Sequence, residues 1–99
     1  MVKIVASALR LSEKAAEKLK PEIERHIRTA RMDLSRMGCP DEVVGSNNAL
    51  VQEAIVTYCM AKMGEESRRD AYMEAYLYQA DSIRKSAKLK EGTIYAGDE

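Results

Sequence analysis

Asn47-Asn-Ala-Leu-Val-Gln-Glu-Ala-Ile-Val-Thr-Tyr-Cys-Met-Ala-Lys-Met-Gly64 is the stretch whose reading decides the fold. It carries a start signal, a stop signal and almost no charge between them. Asn48 suits an N-cap, because its side-chain oxygen can accept from an unpaired first-turn N–H. Gly64 suits the C′ position, where a left-handed backbone costs Gly nothing. Leu50, Ala54, Tyr58 and Ala61, with Val51 and Ile55 beside them, form one apolar stripe at helical spacing. Val56, Met60 and Met63, flanked by Cys59, form a second stripe on the opposite side. A helix apolar nearly all round is a buried helix. One protein layer can cover one side. The other side must meet the loop at Val43–Val44 or a neighbouring subunit.

Composition bounds the rest. Ninety-nine residues make one domain, and 32% charged with 45% apolar residues is a soluble, globular balance. The chain lacks Trp and Phe, and holds only nineteen Ile, Leu and Val residues, so its core is thin. Domains of this size are marginal, and oligomerisation is a common remedy. Basic and acidic residues balance at 16 each, without the basic excess of a nucleic-acid footprint. The sequence contains no apolar run near the ~20 residues of a membrane span, and Val2–Ala6 is too short for the core of a signal peptide. Cys39 and Cys59 lack C-x-x-C spacing and read as reduced, non-catalytic thiols of a cytosolic compartment.

Working outward, residues 2–11 predict a short helix ending near Leu9. Ser12 then caps a turn or two over Glu13–Lys20. Pro21 is comfortable at the first position of a helix, and Glu22 and Glu24 suit the positive end of its dipole, so a long helix is expected to start there. Its inward stripe is Ile23, Ile27, Ala30, Leu34 and Met37, with Leu19 in register. Glu24 and Arg28 form an i,i+4 pair outside. Gly38 ends the helix and Pro40 prevents restart. Residues 38–47 form a turn-rich loop that tucks Val43 and Val44 onto the bundle. After the central helix, Ser67-Arg-Arg-Asp70 is a capping-box start for a last helix running to about Ala87. Met73, Tyr76, Leu77, Ala80, Ile83 and Ala87 form its inner face, and Tyr78 points away. The expected architecture is all-α: a small antiparallel bundle with two long core helices, shorter N-terminal helices and a flexible C-terminal tail. Residues 1–87 form the single domain. The polar segment 88–99, with Ile94 and Tyr95, is either a loose end or a docking segment that orders on a partner.

A search for chemistry finds little. His26 has Glu22 one turn away, but no second ligand closes a metal set. The carboxylates are interleaved with Lys and Arg, and no pair is isolated for acid–base work. Arg25, Arg28, Arg31 and Arg36 alternate with acids, which describes a solvated face. No phosphate loop or catalytic triad order is present, so neither cofactor nor metal is expected. Tyr58, Tyr72 and Tyr76 fit the core or its border. Tyr78 does not, and Tyr is a residue that interfaces favour.

The order of residues also resembles a known family. Leu9-Arg-Leu11, Glu22-Ile23 through Ile27, Ala30-Arg-Met-Asp33-Leu34 with Gly38, the segment from Ala49 to Gly64, and Tyr72, Tyr76 and Leu77 are, in this order, similar to the small head–tail connector (adaptor, DNA-packaging) proteins of long-tailed phages and prophages. The resemblance covers about residues 9–84. Asn48-Ala49 replaces the Asp-Pro that opens the family's central helix, and Met63 stands where an aromatic residue often precedes the glycine. The resemblance implies a structural, non-enzymatic subunit of the virion, present in the host cytoplasm during assembly. Such subunits form a closed ring of about twelve copies under the portal protein. The ring presents a surface for the next head-completion or tail protein, and lets genomic DNA pass without sequence-specific binding. The residues expected at subunit or partner contacts are Val56, Met60, Met63, Tyr78, Ile94 and Tyr95. The alternatives are a helical DNA-binding regulator, a small helical interaction module and, least favoured, an all-helical enzyme for an anionic substrate.

Overall fold

A computed structural model describes the backbone of residues 1–92 and the side chains of residues 1–86. Among the described residues there are five α-helices and no strand. They are α1 (Val2–Ala8), α2 (Glu13–Arg36), α3 (Asp41–Val44), α4 (Ala49–Met63) and α5 (Arg69–Gly92), with a 3₁₀ turn at Glu66–Arg68. The molecule is all-α, as its sequence implies. Ile94 and Tyr95 lie outside the described residues.

The fold is built around the α4–α5 hairpin, with α2 packed across α4 and α1 packed on both α2 and α4. Residue α4 Tyr58 meets α5 Tyr76 edge to face, with ring centroids 5.2 Å apart. Ile23, Ile27, Ala30 and Leu34 fill the core from α2, as their spacing requires. Val51, Ala54, Ile55, Tyr58, Cys59 and Ala61 do so from α4, and Tyr76, Ala80 and Ile83 from α5. Val5 of α1 is fully buried. All of these side chains except Ala61 form one continuous apolar cluster. Full burial of one Leu- or Ile-sized side chain contributes about 1.5–3 kcal/mol, so a cluster of this size can stabilise a chain of this length.

Several expectations need correction. The long helix begins at Glu13, eight residues before Pro21. Ser12 caps it, its Oγ accepting from Ala15 N–H at 3.1 Å. Pro21 sits inside the helix and is exposed. It cannot donate to the carbonyl of Glu17, but that turn faces water, which can take the bond. The first turns survive because α1 packs against them, with Ala16 and Leu19 partly buried on the core.

Leu50 was expected inside, yet it is 58% exposed at the first turn of α4. Leu77 is 47% exposed for a related reason: α5 turns its Tyr76–Ala80–Ile83 line inward, and Leu77 falls about 100° round from Tyr76. Ser67 lies within the 3₁₀ turn and is not the N-cap of α5. The segment 38–47 is not all loop. Asp41–Val44 forms a single helical turn, Val44 is buried, and Arg31 donates from Nη1 to the Val44 carbonyl. Glu24 and Arg28 do not form an ion pair among the described residues, where the α2 pairs are His26–Glu22 and Arg36–Asp33. The last helix continues five residues past Ala87, to Gly92.

Gly64 caps α4, but not by a left-handed turn. Its φ is −85° and its ψ −161°, extended values open to any residue. Glycine is required there for space, because a Cβ would lie 2.5 Å from the Met60 carbonyl oxygen. The left-handed cap belongs to Gly38, with φ +106°. There Gly38 N–H donates to Ser35 O and Cys39 N–H to Leu34 O, the paired bonds of a Schellman motif. The same pair closes α1, from Arg10 N–H to Ser7 O and Leu11 N–H to Ala6 O. In that motif the left-handed position holds Arg10, with φ +58°.

Candidate subunit interface

The three α4 residues of the second stripe are brought together, and the chain itself covers part of them. Val56 and Met63 are half-buried against the core, in company with Val2, Leu9 and Leu11 from the N-terminal segment. Met60 lines a cleft of about 480 Å³ with Leu9 and Arg10 from the end of α1, Glu65 and Arg68 beside the 3₁₀ turn, and Tyr72 from α5. Val56, Met60 and Met63 share one helical face, and at Met60 that face meets the end of α1. Tyr78 is separate from it, 77% exposed on the outer face of α5. Met32, 72% exposed, stands on the face of α2 opposite its buried line.

Sequence reasoning missed the polar clasp beside Tyr58. The Tyr76 hydroxyl donates to Asp33 Oδ2 at 2.6 Å, and Arg36 donates to Asp33 Oδ1 from Nη2 at 2.7 Å and from Nε at 3.1 Å. Lys62 sits 5.3 Å from the centre of the Tyr58 ring. Burial works against the Asp33 carboxylate, but the Tyr76 and Arg36 hydrogen bonds outweigh it and hold its pKa below the usual value. Burial first, and then the bond to Asp33, push the Tyr76 hydroxyl far above the ordinary tyrosine range. Tyr58 is raised by burial and by the Asp33 charge. The available signal was an Asp in the register next to a buried stripe, with a Tyr on a facing inner line; pairing them required the helix packing.

Burial is the largest cause of the shifts at His26, Cys39 and Cys59. His26 Nε2 lies 3.8 Å from Glu22 Oε2, and burial, aided by Arg25, lowers the histidine pKa. Cys59 is fully buried, and burial pushes its thiol up to about 11. The Cys39 thiol donates to the Ala80 carbonyl at 3.6 Å and is also raised by burial. Both thiols are therefore held in the unreactive form. Among the described residues no group of three or more His, Cys, Asp or Glu side chains is placed to hold a metal ion. No helix among them is long and apolar enough to cross a membrane.

Comparison with family models, curated proteins and solved structures finds no match to this chain.

Proposed function

We propose that this chain is a structural head–tail connector subunit of a phage or prophage. It oligomerises into a ring under the portal and links the DNA-filled head to the tail. The observation that carries this reading is the meeting of its three motif segments at one point. Asp33 comes from the Ala30–Leu34 motif, Tyr58 from the central helix, and Tyr76 from the last motif. They join through one hydrogen bond and one ring contact. Residues that are individually common are thus parts of one physical unit. That is what a shared framework would require, and what coincidence at helical spacing would not.

The reading is also supported by what the surface offers. Large apolar side chains stand exposed at Leu50, Leu77 and Tyr78, and the cleft beside Met60 is open. Val56 and Met63 are half-buried against the core, which narrows the assembly surface relative to a fully bare second stripe. Its activity is binding: subunits to one another, to the portal and to the next tail-side protein, with DNA passing through the ring unread. The balanced charge of the chain suits that passage, since each neutralised phosphate would add salt-dependent grip.

Sedimentation velocity across a range of concentrations, with negative-stain microscopy, tests the reading. Closed rings at high concentration, or on addition of a purified portal ring, are expected. A chain that stays monomeric throughout and ignores the portal sinks it.

A further inference from the structure

The cleft at the end of α1 holds a cation where the backbone would favour glycine. Arg10 occupies the left-handed position of a Schellman cap, which Gly takes at no cost and a side chain takes only with strain. Strain of this kind persists where a side chain is wanted for something else. Arg10 is exposed and lines the cleft, and Arg68 lines it from the other side, stacked 5.7 Å over the Tyr72 ring. Leu9 and Met60 supply an apolar floor. Among the described residues that line the cleft, only Glu65 opposes the two cations. The site is therefore built for a segment with apolar side chains followed by acids.

The chain contains such a segment in residues 93–99, where Ile94 and Tyr95 precede Asp98 and Glu99. It cannot reach its own cleft. Tyr72 is twenty residues before Gly92 on α5, about 30 Å along the helix. Seven residues, even fully stretched back along that helix, span at most about 25 Å. Ile94 and Tyr95 would fall shorter still.

We propose that the cleft formed by Leu9, Arg10, Met60, Arg68 and Tyr72 receives residues 93–99 of a second copy of this chain. A tail-to-cleft contact of this kind is heterologous. Each subunit gives a tail and takes one, so the contact propagates and closes as a ring where the rotation allows. The inference deepens the connector reading and rests on it for the closed geometry, but not for the contact itself.

Two measurements test it. First, a fluorescein-labelled peptide of residues 92–99 is titrated into the dilute full chain and read by anisotropy. Saturable binding is expected, weakened roughly tenfold by Arg10→Gly or Arg68→Ala, as for loss of a charge-assisted contact. Asp98→Lys with Glu99→Lys in the peptide should weaken it comparably. Arg10→Gly relieves strain, so lost binding cannot be charged to misfolding. Equal binding by all variants, or none by the wild type, overturns the cleft assignment.

Second, a chain carrying Arg10→Glu and Arg68→Glu is mixed with one carrying Ile94→Ser and Tyr95→Ser. Each alone should stay monomeric, and the mixture should form a 1:1 dimer that grows no further, because only one matched pair remains. Peptide binding by a chain that never self-associates would uphold the cleft and overturn the ring. Self-association untouched by either pair of lesions would do the reverse.

Discussion

The Tyr76 hydroxyl lies 2.6 Å from Asp33 Oδ2, joining helices α5 and α2 across 43 residues of sequence. The bond is charge-assisted, with the Asp33 side chain only 23% exposed, so it belongs among the stronger hydrogen bonds of the molecule. Tyr76→Phe removes the donor and nothing else. A loss of about 1–2 kcal/mol in urea unfolding is expected. In a double-mutant cycle with Asp33→Ala, a coupling of the same order should appear. A coupling near zero would mean that the carboxylate is satisfied by Arg36 alone.

The same pair sets the pH range of stability. Asp33 has a depressed folded pKa, so its contribution is complete above the unfolded value of about 3.9 and is lost as pH falls through the folded one. His26 is also depressed, so its neutral form stabilises the fold above about 6.5, and acid erodes that contribution. Tyr76 is raised: its contribution is full below the unfolded value of about 10, and is lost as pH rises beyond it. Cys59 and Cys39 are raised as well, so their contribution is full only below the unfolded thiol value of about 8.5, and urea midpoints measured against pH should form a plateau between about 6.5 and 8.5, falling on both sides. In Tyr76→Phe the alkaline fall should be visibly shallower.

Two glycines and one arginine give opposite expectations. Gly64→Ala brings a Cβ into the Met60 carbonyl and should cost upwards of about 1 kcal/mol, although its φ is ordinary. Gly38→Ala meets both a positive φ and the Arg84 side chain at 2.9 Å, and should cost at least as much. Arg10→Gly should raise stability by roughly 0.5–1 kcal/mol. Thermal melts of the three variants rank them directly.

The two exposed leucines separate the observed inner faces from the expected ones. Leu50→Lys and Leu77→Lys should each change stability by no more than about 0.5 kcal/mol. Val51→Ala and Ile55→Ala, both at fully buried positions, should cost about 1–4 kcal/mol. If Leu50→Lys proves as costly as Ile55→Ala, the outward position of Leu50 on α4 is wrong.

Much of this fold could be read from the chain because its signals were local. The caps at Ser12 and Asn48, the end of α1, the buried line of α2 and the inward Tyr76–Ala80–Ile83 line all follow from spacing and short-range chemistry. The errors arose where tertiary packing overruled a local rule. Pro21 marks a helix start only if nothing supports the turns before it, and α1 supports them. Leu50 and Leu77 are apolar but sit at the rim of their stripes, and periodicity alone does not say how wide a stripe the partner helix covers. Gly64 was assigned the right place for the wrong reason, since a glycine needed for space and one needed for positive φ look alike in sequence.

The site was less legible than the fold. Val56, Met60 and Met63 could be grouped by spacing, but that Met60 would meet the end of α1 could not be known from α4. Asp33 and Tyr76 carry no mark of each other in the sequence. Nothing in the sequence around Arg10 marks that its backbone takes a glycine's conformation.

Pro21 divides α2 without breaking it, and this has a consequence for motion. Its missing N–H leaves the Glu17 carbonyl to water, so the turns before it hold the rest of α2 less cooperatively. Those turns pack against α1, which also packs on α4. Native-state hydrogen exchange should show a step at this residue. Amides of residues 2–20 should exchange through a sub-global opening, while those of Ile23–Leu34 and the α4–α5 hairpin wait for complete unfolding.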